Sequence, residues 1–166
     1  MEKLSFEDYL LKLSSRMKRS GFSEFDRHLQ GFQVDLSFHR REFVLAKFSV
    51  VDTFVMVTRA LEGCTPTLFE TFSQHVFQFA LDHKSEWPRG LGGCAVSYPV
   101  LVVDASMEDI RLFVEAYCPK HWSSFEFPVL VDLSSQSVYH YTATPVLGLL
   151  YYQGFRKETR ELFWPE

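Results

Sequence analysis

The apolar positions of this chain change period several times, and each change marks an element. Phe6, Tyr9, Leu10, Leu13 and Met17 fall at the three-and-four spacing that gathers side chains on one helix face. Ser5, with Asp8 three residues on, resembles a capping box in which Asp stands for the usual Glu. Gly21 supplies a stop. The spacing therefore predicts a helix from about Phe6 to Arg19. The period then drops to two, with Phe32, Val34, Leu36 and Phe38 on one side of "FQVDLSF". "EFVLAKFSVV" and "TFVMVTRAL" carry β-branched and aromatic residues at strand density. Three strands in a meander are expected, with "HRRE" as the first turn and Ser49 to Asp52 as a second turn or a bulge.

Helical spacing returns at Phe69, Phe72, Val76, Phe79 and Ala80. Thr65 stands as the N-cap and Pro66 takes the first helical position, where its missing N–H costs nothing. "SYPVLVV" reads as a strand. A helix from Met107 to Tyr117 follows, capped by Ser106 and Asp109 and stopped by Pro119, with Ile110, Phe113, Val114 and Tyr117 facing inward. "FPVLVDL" is the next strand. "YPVLVVDAS" at 98–106 and "FPVLVDLSS" at 127–135 share one order of ring, Pro and Val-Leu-Val, so they read as two equivalent strands. Pro belongs at the first residue of each, because it cannot donate to a ladder.

A strand, a short helix and a second strand make a right-handed crossover between parallel strands. Unbroken apolar runs fit strands covered on both faces. "SVYHYTA" alternates and returns as an antiparallel edge after an "SSQS" turn. Thr144 and Pro145 open a last helix to about Phe163, weakened by Gly148 and Gly154. The expected fold is one mixed α/β domain spanning 1–166. Its central mixed sheet has about six strands, an antiparallel meander plus a parallel βαβ unit, flanked by four helices.

Composition narrows the class. The chain of 166 residues is 46% hydrophobic and holds 17 Phe, 7 Tyr and 3 Trp, which suits a packed core and not a disordered chain. No apolar run approaches the roughly 18 residues of a membrane span, and the charges in "MEKLSFEDYL" are unlike a signal peptide. Cys64, Cys94 and Cys118 are odd in number and widely spaced, the pattern of reduced thiols, so a cytoplasmic location is expected. Net charge is −4, divided as +2 over residues 1–60 and −6 over 61–166. That balance makes nucleic acid an unlikely partner.

Several candidates for chemistry lie along this frame. Cys118 with His121 could form a thiolate–imidazole pair helped by Lys120, or two ligands of a zinc site. Glu126 lies at the same strand end, whereas Asp132 lies at the other, roughly 17–20 Å away. Asp104, Ser106, Asp132, Ser134 and Ser135 gather beyond the C-terminal ends of the parallel strands, where open sheets bind ligands. Asp104, Asp132 and Ser106 are the candidate catalytic set there, able to hold Mg or to act as acid and base. The same residues also suit helix starts and turns. "RGLGG" at 89–93 leads into a strand and not a helix, which is the wrong context for a phosphate loop. His75 reads as a satisfied structural histidine. "LLYYQGF" at 149–155 offers rigid aromatic area for the core or for a partner surface.

Helix, three-strand meander, helix, strand is an element order that resembles the core of restriction-endonuclease-like nucleases, over about residues 5–104. That family carries an acidic residue on the second strand and acid-x-Lys on the third. Asp35, Glu42 and Lys47 are the nearest counterparts, and Thr53 and Phe54 stand after Asp52 where the lysine would follow. The resemblance implies a metal-assisted hydrolase with Mg as its cofactor. The leading expectation is instead a non-catalytic binding or protein-interaction module. It would have no cofactor, and it would meet a protein partner or a second copy through aromatic surface.

Overall fold

The structure is a computed structural model that describes residues 4–25, 28–45, 48–87, 92–143 and 149–165. Lys47, residues 89–91, Thr144, Pro145 and Gly148 lie outside the described residues. The expectations placed on them are not addressed by it.

Helix α1 spans Phe6–Arg19. Ser5 Oγ accepts the Asp8 N–H at 3.0 Å and donates to Asp8 Oδ2 at 2.8 Å, so the predicted cap is reciprocal. Phe6, Tyr9, Leu13 and Met17 form its buried face. The short β1 (Ser23–Glu24) pairs antiparallel with β2 (Leu36–Val44), which pairs antiparallel with β3 (Ser49–Arg59). Two long strands thus replace most of the expected three-strand meander, and the turn falls after Val44 and not at "HRRE". The reason lies across the sheet. Arg41 stands directly opposite Asp52, and His39 opposite Phe54, so the charged residues of β2 have partners and the strand runs on. Ser49 to Asp52 is regular strand, neither turn nor bulge.

Helix α2 spans Pro66–His83, with Thr65 Oγ1 accepting the Leu68 N–H at 3.2 Å. Its buried stripe is Phe69, Phe72, Ser73, Val76, Phe77 and Ala80. β4 (Gly93–Val103) is buried along its whole length and runs parallel to β3. Helix α3 covers Glu108–Ala116. β5 (Ser124–Glu126) and β6 (Val129–Asp132) both lie parallel to β4, β7 (Ser137–His140) returns antiparallel to β6, and α4 closes the chain at Leu149–Phe163. The sheet order is β1-β2-β3-β4-β6-β7, with β5 beside β4.

The repeated motifs lie side by side in register: Val100 against Val129, Leu101 against Leu130, Val102 against Val131. Pro128 precedes β6 as expected, but Pro99 sits in the middle of β4. The ladder explains this, because pairing on that side breaks between Glu126 and Val129. Pro99 faces the break, where a missing donor costs little.

Two apolar layers hold the sheet. On one face α1 and α4 bury Val55, Val57, Val100 and Val131. On the other, α2 and α3 bury Met56, Leu101, Val103 and Leu130. The steps from β3 to β4 and from β4 to β6 move the same way across the sheet, and both crossover helices pack on one face.

Candidate functional site

At the C-terminal ends of the parallel strands the structure brings Ser106 and Asp132 together. Asp132 Oδ2 accepts the Ser106 N–H at 2.8 Å and its hydroxyl at 2.5 Å. Oδ1 accepts the Ser134 N–H, the Ser134 hydroxyl and the Ser135 N–H at 2.8–3.0 Å. The Asp132 side chain is fully buried. Burial alone would raise its carboxyl, but the donors from Ser106, Ser135 and Ser134 outweigh burial and hold it down to about 2. It clasps the β4–α3 connection to the β6–β7 turn. Ser106 is therefore not the N-cap of α3: Met107 takes that place without a side-chain bond, because the Ser106 hydroxyl is given to Asp132.

The Asp104 carboxylate is not part of this cluster, although the Asp104 carbonyl accepts the Ser134 N–H at 3.0 Å. Arg59 Nη2 donates to both carboxylate oxygens at 2.9 Å, and the Arg59 guanidinium lies 5.0 Å from the Phe6 ring of α1. Ligand clefts in open sheets form where successive crossovers diverge to opposite faces. Here both crossover helices share one face, so the strand order has no such divergence, and Asp132 joins the loops after β4 and β6.

The N-terminal end separates Cys118 from His121. Cys118 Sγ lies 3.1 Å from Tyr152 Oη and packs with the α1–α4 layer. His121 stacks on Phe77 of α2, with ring centroids 3.7 Å apart, and its Nε2 meets Glu126 Oε2 at 2.6 Å. Glu126 is buried and also accepts the Ser73 hydroxyl. Ser73 thus faces a carboxylate and not an imidazole, and it is itself fully buried. The arrangement ties α2 to β5; it does not present a nucleophile.

The nuclease-like residues are not brought together either. Asp35 precedes β2 and accepts the Arg59 N–H at 3.0 Å. Burial raises its carboxyl against that bond. Glu42 lies seven residues on, roughly 20 Å along an extended chain, where it pairs with Arg40 at 3.0 Å. Among the described residues no group of three or more His, Cys, Asp or Glu is arranged to hold a metal.

Sequence reasoning missed a buried carboxylate. Asp52 Oδ1 meets His39 Nε2 at 2.8 Å and Arg41 Nε at 2.7 Å, and Oδ2 accepts the Ser85 N–H at 2.7 Å. Burial would raise it; the Ser85 N–H, Arg41 and His39 hold it below the ordinary carboxylate range. The signal was present in "HRR", but its acid lies on the next strand.

Exposed apolar residues mark the same end of the molecule. Phe43 and Leu45 lie at the end of β2, Phe48 just before β3, Trp87 before β4 and Trp122 before β5, and Phe48 and Trp122 are each 78% exposed. Trp87 lies over Gly92, where an added Cβ would stand 3.2 Å from its ring and 3.5 Å from the Phe48 carbonyl. Beyond His39, no described strand covers the outer edge of β2. Ser37 O accepts Phe25 N–H on that side, and strand alternation sends the N–H and C=O of Arg41 and Phe43 the same way.

No helix among the described residues is long and apolar enough to cross a membrane. The chain shows no significant match to known protein families, to curated protein sequences or to solved structures.

Proposed function

We propose that the protein is a non-catalytic interaction module that takes up an extended, apolar segment of a partner protein along the outer edge of β2. The observation that carries this reading is the coincidence of an uncovered strand edge with exposed anchors. The outward backbone groups of Arg41 and Phe43 are what an added strand pairs with; Phe43 is itself exposed on that strand, and Leu45 and Phe48 are exposed just past its end. Tryptophan and other aromatic residues are the side chains that dominate binding energy at interfaces.

A partner other than a second copy is favoured by charge. Two β2 edges meeting about a two-fold axis at Arg40, Arg41 or Glu42 would set each charge against its own copy, which is unfavourable. Among the described residues the cations of β2 already have partners: Arg41 binds Asp52, and Arg40 binds Glu158 and Glu42.

Panning a displayed library of ten-residue peptides tests the reading. The expected winners carry apolar residues at alternate positions and lose at least tenfold in affinity against Phe43→Pro, which removes one outward N–H and leaves the β2–β3 ladder intact. Winners that bind Phe43→Pro as well as the parent, or a library that yields no binder, would overturn it. So would a light-scattering mass of two chains that reverts to one in Phe43→Pro.

A further inference from the structure

The face of the sheet beneath α4 is not fully covered. Between α4 and strands β2 to β5 runs a groove of about 330 Å3, within the size range of small-molecule sites. Its floor is apolar, from Val51, Val96 and Phe125. One wall is Tyr151, stacked on Phe125 with centroids 4.7 Å apart. The mouth is charged, and its charges are unequal. Glu42, Glu158 and Glu161 stand against Arg40 and Lys157. Arg40 is committed to Glu158 at 2.6 Å and to Glu42 at 3.0 Å, and its guanidinium lies 4.2 Å from the Phe22 ring. Glu158 is also held by the Tyr98 hydroxyl at 2.7 Å. Lys157 reaches Glu161 only at 3.8 Å. The mouth thus carries one excess negative charge, with Glu42 and Glu161 as its exposed acids.

A second, independent feature points at the same groove. Gly154 lines it from the interior of α4. Glycine inside a helix costs about 1 kcal/mol against alanine, and such a cost is ordinarily explained by close packing or by a left-handed backbone. Neither applies. A Cβ built on Gly154 meets nothing within 4 Å, and its φ is not positive. What the missing side chain does leave is a low groove wall at this position.

We propose that this groove binds a small cationic amphiphile, an apolar ring or short chain ending in one amine. The ring lies on Val51, Val96 and Phe125 against the Tyr151 face, and the ammonium sits among the mouth carboxylates. The site shares Arg40 and Glu42 of β2 with the rim of that edge but uses none of its outward backbone groups, so it stands whether or not a partner segment binds there.

The probes are phenethylamine, 2-phenylethanol and 3-phenylpropionate, which share a ring and differ in charge. Each is titrated into the 15N-labelled protein. Phenethylamine is expected to shift the amides of Thr53, Val96, Phe125 and Gly154, and to bind at least tenfold more tightly than the carboxylate. The Glu42→Gln/Glu161→Gln variant is expected to bring the amine to the level of the alcohol. Gly154→Leu is expected to abolish binding of all three, and Gly154→Ala to raise Tm by about 2–4 °C. Equal or tighter binding of the carboxylate, shifts confined to another surface, or no binding by any probe would overturn the proposal. So would a lowered Tm in Gly154→Ala, which would make the glycine structural.

Discussion

Arg41 and Asp52 face one another across β2 and β3, joined by an Arg41 Nε to Asp52 Oδ1 bond of 2.7 Å, yet one is half-exposed and the other wholly buried. That asymmetry sets unequal costs. Arg41→Ala leaves Asp52 with the Ser85 N–H and His39, and should destabilise by about 0.5–1 kcal/mol. Asp52→Ala leaves the half-buried Ser85 N–H and His39 without their acceptor and opens a hole where a buried carboxylate stood, and should cost about 2–4 kcal/mol. Urea unfolding of the two variants measures the difference, and equal costs would contradict the assigned geometry.

Asp132 predicts an acid limb in stability. Its folded carboxyl is held down to about 2, below its unfolded value, and that of Asp52 is also lowered. Groups shifted downward stabilise the fold above the unfolded pKa, and the contribution is lost as pH falls through the folded one. Tm should therefore drop between about pH 4 and pH 2. Asp132→Asn should be less stable at pH 7 and show a shallower drop in that window, as followed by circular dichroism.

The three thiols should react in a fixed order. Cys118 is half-buried, whereas Cys64 and Cys94 are buried, and burial pushes the Cys64 thiol up to about 12. Iodoacetamide at pH 8 is expected to label Cys118 first and the other two only in denaturant. Peptide mass spectrometry reads the sites. Early labelling of Cys64 would show that its pocket opens.

Tyrosine titration should be incomplete in the folded state. Burial raises Tyr9, Tyr98, Tyr117 and Tyr152, with Glu158 adding to the shift at Tyr98 and Glu126 at Tyr117. A group raised in the fold keeps its proton there, so the stability it lends is lost as pH climbs past its unfolded value near 10. Tyrosinate absorbance at pH 11 should report fewer than the seven tyrosines of the chain. The remainder should appear together with unfolding.

The legible parts of this molecule are those whose causes are local. The caps at Ser5 and Thr65 were readable because each bonds three residues away. The parallel pair was readable because two like segments solve the same burial problem. The turn placed at "HRRE" and the cap assigned to Ser106 failed for one shared reason. Each polar residue has a partner far along the chain: Asp52 for Arg41, and Asp132 for Ser106. Local propensity cannot register such partners. The uncovered edge and the groove were equally out of reach, because both depend on where β1 and α4 stop covering the sheet.

The ladder of β3 on β4, which sets Val50 against Gly93, brings together strands that all of α2 separates in the chain. Closing so long a loop costs entropy before any pairing repays it. The β2–β3 hairpin can zip early, but its greasiest flank then waits in water for β4 to arrive. Nascent chains will be most prone to clump in that interval, and the rate at which β4 docks, more than the final stability, will govern the yield of folded protein.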